Sequence, residues 1–204
     1  KTPTGTCLIL ITPDSERTMC TFLGIAGKIS PADIDENFIK QSELVFLEGY
    51  LWDEGEPKAA FDKALSCANK SAMSLSDKFC VDRHKKSFYN LVKNKLDITF
   101  ANEQEIMELI DTKKFDDVIK FGKDLNKLLI ITRSDKGSVA ISGSEVAECD
   151  SQKKLNIVDL TGAGDLFAAG FLHGYVNKMS TRESLQQGTE MASKIIQKIG
   201  ARLN

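Results

Sequence analysis

Apolar positions along the chain fall either in short runs of β-forming residues or at helical spacing. The β-forming runs come first. Thr6 to Thr12 and Arg17 to Leu23 are rich in β-formers, and Pro13-Asp14-Ser15 between them is turn chemistry, so the stretch predicts a β-hairpin. Gly24 and Gly27 close it, and Ser30-Pro31 opens a short helix with Ser30 as its cap. Strand and helix signals then alternate. Leu44 to Glu48 predicts a buried strand ending at Gly49, and Ala60, Phe61, Ala64 and Leu65 mark a helix over 57–68. A strand over 72–76 precedes a helix near 86–93, and a strand over 97–100 precedes helices over 103–110 and 115–124. Leu128 to Thr132 is the clearest strand, and 138–142 and 145–149 follow as a meander. Leu155 to Val158 predicts one more strand end. A helix with Leu166, Phe167, Phe171, Leu172 and Tyr175 on its buried side comes next. The capping box Ser180-Thr181-Arg182-Glu183 opens the last helix, with Leu185, Met191, Ala192, Ile195, Ile196 and Ile199 facing inward. Repeated strand–helix units imply a mostly parallel sheet covered by helices, an α/β fold with a hairpin at its start.

Composition narrows the class. With 42% apolar and 27% charged residues the chain has the make-up of a globular protein, and a net charge of −2 with interspersed lysines argues against a nucleic-acid surface. No apolar run approaches the length that spans a bilayer, and no signal peptide is visible, so no membrane partner is expected. The five cysteines are odd in number, scattered and without a Cys-x-x-Cys pair, which points to free thiols in a reducing cytoplasm. The first residue is Lys1, not methionine, and it stands almost directly on a strand.

The stretch Asp159-Leu160-Thr161-Gly162-Ala163-Gly164-Asp165-Leu166-Phe167 carries the most specific chemistry. Its glycines let backbone N–H groups approach a ligand, and it opens a helix, whose N-terminus attracts anions. An acid beside an anion site repels the anion unless it has a proton to take. Asp165 therefore reads as a base beside a phosphate cradle, and the pair as phosphoryl transfer. A dinucleotide fingerprint fails because Phe167 stands where its third small residue belongs, and no Gly-Lys-Ser or Gly-Lys-Thr exists for a P-loop. Other polar residues fall at strand ends, where ligands gather on a parallel sheet: Glu48, Asp77, Asn102, Glu105, Thr132 and Asp159. Such residues also cap helices. Trp52 reads as packing beneath the site, and His84 and His173, without partners at catalytic spacing, as structural.

The Asp159–Phe167 stretch resembles the D-T-x-G-A-G-D-x-F signature of the ribokinase-like (PfkB) family of carbohydrate and nucleoside kinases. Asn102-Glu103-Gln104-Glu105 resembles the family's N-x-x-E motif, and Thr132 to Gly137 its T-x-G-x-x-G nucleotide turn, with Ser134 at a usual glycine. The resemblance implies a three-layer α/β/α sandwich, with a lid hairpin over 1–27 and a nucleotide- and phosphate-binding core over 28–204. It implies Asp165 as general base, with Gly162, Ala163 and Gly164 donating N–H groups to the transferred phosphoryl. Asn102 and Glu105 would act through Mg²⁺ and its water, with Glu105 as the metal residue, while Thr132, Ser134 and Gly137 would contact ATP. Asp159 and Thr161 would sit at a monovalent cation site such as K⁺. The hairpin is most similar to the adenosine kinase-like branch, where Arg17 and Met19 would touch the acceptor and the lid would support a homodimer.

Family members run longer, and their N-terminal part carries most of the acceptor site. The expectation is therefore a C-terminal portion of a longer kinase. Three functions stay open: a kinase acting on an adenosine-like nucleoside, a sugar kinase of ribokinase or fructokinase type, and a nucleotide-binding fragment without catalysis.

Overall fold

The computed structural model describes residues 1–203. The hairpin is a two-stranded antiparallel sheet of β1 (Thr6–Ile11) and β2 (Arg17–Phe22), with Cys7 opposite Thr21 and Ile11 opposite Arg17. The register puts Leu8, Leu10 and Phe22 on one face, and all three are exposed.

A second sheet has six strands in sequence order: β3 (Val45–Glu48), β4 (Ser71–Ser74), β5 (Ile98–Asn102), β6 (Leu128–Thr132), β7 (Ser138–Ser142) and β8 (Glu145–Cys149). β3 pairs parallel with β4, and β4 with β5. Strand order equals chain order because each early strand is followed by a helix that returns the chain to the same end. Those helices are α1 (Glu36–Gln41), α2 (Glu56–Cys67), α3 (Lys78–Asn90), α4 (Glu103–Leu109) and α5 (Phe115–Leu125), with α1 ahead of β3 and α6 (Ala163–Val176) and α7 (Thr181–Ile195) closing the chain. The expected α/β class with a mostly parallel sheet is the fold observed.

The chain divides into two compact units. The first comprises 1–4, 23–131 and 141–145. Its core holds Met73, Leu75, Phe88, Ile98, Ile106, Leu129 and Ile130, all essentially excluded from water, where each large side chain contributes about 1.5–3 kcal/mol. The second comprises 5–22, 132–140 and 146–204. There α6 and α7 lie close because glycines line the contact: a Cβ on Gly170 would stand 2.7 Å from the Gln187 carbonyl oxygen, and one on Gly188 2.8 Å from that of Phe167.

Three expectations are corrected. The stretch 155–158 forms no strand; its end is pinned to α7 instead, with the Val158 N–H donating to the Ile196 carbonyl at 2.8 Å. Asp159 therefore ends no strand. α3 begins at Lys78, eight residues earlier than expected, because Asp77 caps it by accepting the Phe79 N–H at 2.7 Å. Ile199 is exposed, since α7 stops at Ile195.

Candidate functional site

In the second unit, Gly162 caps α6 from the left-handed region at φ 78°. That backbone is strained for any other residue, and a Cβ there would also press on Ala201 at 3.0 Å. The first hydrogen bond of the helix proper runs from the Leu166 N–H to the Gly162 carbonyl at 2.9 Å, and the Ala163 N–H turns back to Leu160 at 3.3 Å. The helix thus starts with amides that lack a helical partner, in a turn where Gly164 has open space and Asp165 is exposed. A positive helix end, an unobstructed backbone and a carboxylate share one turn.

Asp159 anchors this turn from below. It is buried; Oδ1 accepts the Thr161 N–H and Oδ2 the Gly200 N–H, each at 2.8 Å. Burial works against its ionisation, but the hydrogen bonds from Thr161 and Gly200 outweigh it and hold the carboxyl below its ordinary range, with the Arg17 charge helping. The Thr161 hydroxyl is buried with no well-aligned hydrogen-bond partner, yet it lies close enough to Asp159 to help hold that carboxyl ionised. Arg17 and Met19 lie on β2, both exposed.

Thr132 ends β6, and the chain then makes a single 3₁₀ turn over Ser134–Lys136. Ser134 adopts φ 51° and Gly137 φ 86°. The left-handed backbone at Ser134 explains why glycine is the usual residue there. At Gly137 no side chain fits, since a Cβ would stand 2.1 Å from the Cys149 carbonyl oxygen.

In the first unit, Asn102 and Glu105 form a closed capping box at the start of α4. Glu105 is 5% exposed, and burial pushes its pKa up to about 7, with Asp77 adding to the rise against the Asn102 hydrogen bonds. Both carboxylate oxygens already accept hydrogen bonds from Asn102. Such a group fits a metal ion reached through water better than one bound directly, and among the described residues no cluster of three His, Cys, Asp or Glu side chains could hold a metal by itself. The Cys80 thiol, pushed up to about 11 by burial, feels Asp77, Glu105 and Glu48 together.

The same unit holds a cavity of about 80 Å³ between the Gly49–Asp53 turn and the first half of α3. Trp52 stacks edge-on against His84 with ring centroids 4.6 Å apart, and against Phe88 at 5.7 Å. Burial and the neighbouring Arg83 charge hold the His84 imidazole below its ordinary pKa. Arg83 Nη2 donates to both carboxylate oxygens of Asp53, at 3.0 and 3.2 Å, and Phe79 stands at the wall, 69% exposed.

Residues 1–204 match the pfkB family carbohydrate kinase description from end to end. The chain belongs to the PfkB family. Among its curated relatives, 5-dehydro-2-deoxygluconokinase of Geobacillus kaustophilus is 27% identical over 96% of this chain and 59% of its own length. Among solved structures, adenosine kinase from Sinorhizobium meliloti superposes with a TM-score of 0.94 at 38% identity, over 98% of this chain and 63% of that one. A probable sugar kinase from Rhizobium etli gives the same TM-score at 35% identity, over 98% and 62%. The chain thus spans about three fifths of the length of the PfkB proteins it matches.

The PfkB motifs were legible because their residues are contiguous. The cavity was not: Trp52 and His84 are 32 positions apart, and nothing in either segment announces the other. The one available signal was the density of aromatic and charged residues over 49–54 and 79–84.

Proposed function

We propose that this chain carries the phosphate- and nucleotide-handling part of an ATP-dependent kinase that phosphorylates a hydroxyl of a nucleoside or sugar. The observation that carries this is Asp165, an exposed carboxylate in the first turn of α6 beside the unobstructed Gly164 backbone. Asp165 takes the proton of the acceptor hydroxyl as its oxygen bonds to the γ-phosphorus and the bond to ADP breaks. The amides of Gly162, Ala163 and Gly164 hold the charge that gathers on the transferred group. Asn102 and Glu105 would hold Mg²⁺ through its water, and the ion would supply positive charge against the phosphates. Thr132, Ser134 and Gly137 hold the nucleotide. Asp159 and Thr161 would hold a monovalent cation such as K⁺, whose charge would steady the turn. Arg17 and Met19 face the acceptor from a hairpin that works as a lid. The exposed Leu8, Leu10 and Phe22 face of that hairpin supports association of two copies. Five free cysteines suit a cytoplasmic setting.

The test is a phosphotransfer assay over adenosine, cytidine, ribose and fructose, run on the wild type and on Asp165→Asn. Turnover is expected to fall about 10²- to 10⁴-fold with Mg·ATP affinity little changed. Undiminished turnover would refute the role of Asp165. A second reading, nucleotide binding without catalysis, draws on the chain's three-fifths coverage of its relatives. Calorimetric heat with Mg·ATP but no transfer to any acceptor would favour it.

A further inference from the structure

We propose that Lys153, with Ser151, is a clasp that positions the Arg133–Gly137 turn for nucleotide. The inference rests on the nucleotide assignment of that turn. The turn needs support from outside. Within it, the Arg133 N–H donates to the Gly137 carbonyl at 2.8 Å, the Lys136 N–H to Arg133 at 3.0 Å, and the Gly137 N–H to Ser134 at 3.1 Å. Those bonds close a loop with two left-handed residues, one of them Ser134, a residue that pays a conformational penalty there. Local preference alone would let such a loop relax.

The segment after β8 holds it. The Asp135 carbonyl accepts from the Ser151 hydroxyl at 2.6 Å and from the Lys153 ammonium at 3.2 Å, and the ammonium also donates to the Ser151 hydroxyl at 2.9 Å. These three groups form a closed triangle in which one bond is charge-assisted on each of two acceptors. Gly137 seats against Cys149 and Asp150 with no room for a Cβ. The base of the clasp is itself fixed to α7, where the Thr189 hydroxyl donates to the Cys149 sulfur at 3.6 Å. From Lys153 the chain runs six residues to Asp159, so the segment that holds the nucleotide turn leads directly into the phosphate turn. Lys153 acts through the turn and is a positioning residue. Its side chain is exposed and outside the core, so its removal leaves folding intact.

The experiment compares wild type, Lys153→Met, Lys153→Arg and Ser151→Ala in the whole chain by hydrogen exchange and Mg·ATP calorimetry. In Lys153→Met the amides of Arg133, Lys136 and Gly137 should exchange faster without nucleotide, and Mg·ATP should bind about three- to tenfold more weakly. The melting temperature without nucleotide should not move, a separation that a merely structural role would not produce. Ser151→Ala should follow Lys153→Met, and Lys153→Arg, which keeps a donor, should restore wild-type values. Unchanged exchange in Lys153→Met overturns the clasp whatever ATP does. Faster exchange with undiminished Mg·ATP affinity leaves the clasp standing and overturns the assignment of the turn to nucleotide.

Discussion

Asn102 and Glu105 satisfy each other across one turn of chain. The Asn102 main-chain N–H donates to Glu105 Oε2 at 2.9 Å, the Asn102 side-chain amide donates to Oε1 at 2.6 Å, and the Glu105 N–H donates back to Asn102 Oδ1 at 2.8 Å. The arrangement fixes the start of α4 while holding a carboxyl out of water. Its pKa rises from 4.5 to about 7, burial being the main cause. Because the folded value lies above the unfolded one, the folded state keeps a proton across that window that the unfolded state has lost. The resulting stabilisation is full below pH 4.5 and disappears as pH rises through 7, with a ceiling on the order of 3 kcal/mol. Urea midpoints should therefore fall between pH 5 and pH 8 in the wild type. Glu105→Gln, neutral throughout, should lose most of that slope at a cost of about 1 kcal/mol for one disturbed hydrogen bond. An equal slope in the variant would place the pH dependence elsewhere.

Alternating strand and helix signals gave the order of elements and the parallel sheet, because burial imposes a period that the residues must keep. Boundaries failed where a single polar contact decided them. The start of α3 depends on one hydrogen bond at Asp77 and on Ser76 at φ 71°, and the first half of the helix buries only Cys80 and Val81, too little to show a period. The run 155–158 is apolar enough for a strand, yet the Val158 N–H goes to Ile196 just past the end of α7, nearly forty residues further on. Site residues inside contiguous motifs were visible, whereas Gly200, which completes the partners of Asp159 from 41 residues away, carried no sign of that role.

Ser134 offers a direct reading of strain. At φ 51° a β-branched side chain should be worse than serine, and glycine no worse. Ser134→Val should lower stability by about 1–2 kcal/mol, and Ser134→Gly should change it by less than about 1 kcal/mol in either direction. Chemical denaturation of the three proteins ranks them. Valine matching serine would mean that the left-handed backbone is not imposed on this position.

Gly170 tests the helix pair. Its missing Cβ lets α6 approach α7 until main chain meets main chain, and an added methyl would stand 2.7 Å from the Gln187 oxygen, an atom that cannot swing away. Gly170→Ala should therefore cost about 1–3 kcal/mol although alanine is the better helix former. A thermal melt decides it, since the propensity argument alone predicts a gain.

Gly164 sits in the same helix with the opposite surroundings. Nothing lies within 4 Å of the Cβ it lacks, and its backbone is not left-handed. Steric and conformational arguments thus give the fold no use for glycine here, and Gly164→Ala should stabilise α6 by a few tenths to about 1 kcal/mol. The space that the new methyl would fill is the approach to the first-turn amides beside Asp165. If a phosphoryl group comes to that approach, the variant melts higher and transfers phosphate at least about tenfold more slowly, the loss of roughly 1.4 kcal/mol of transition-state stabilisation. Paired melting curves and phosphotransfer rates separate the two effects. A variant both more stable and fully active would mean that the anion does not bind against Gly164, and the cradle would have to be sought elsewhere on the chain.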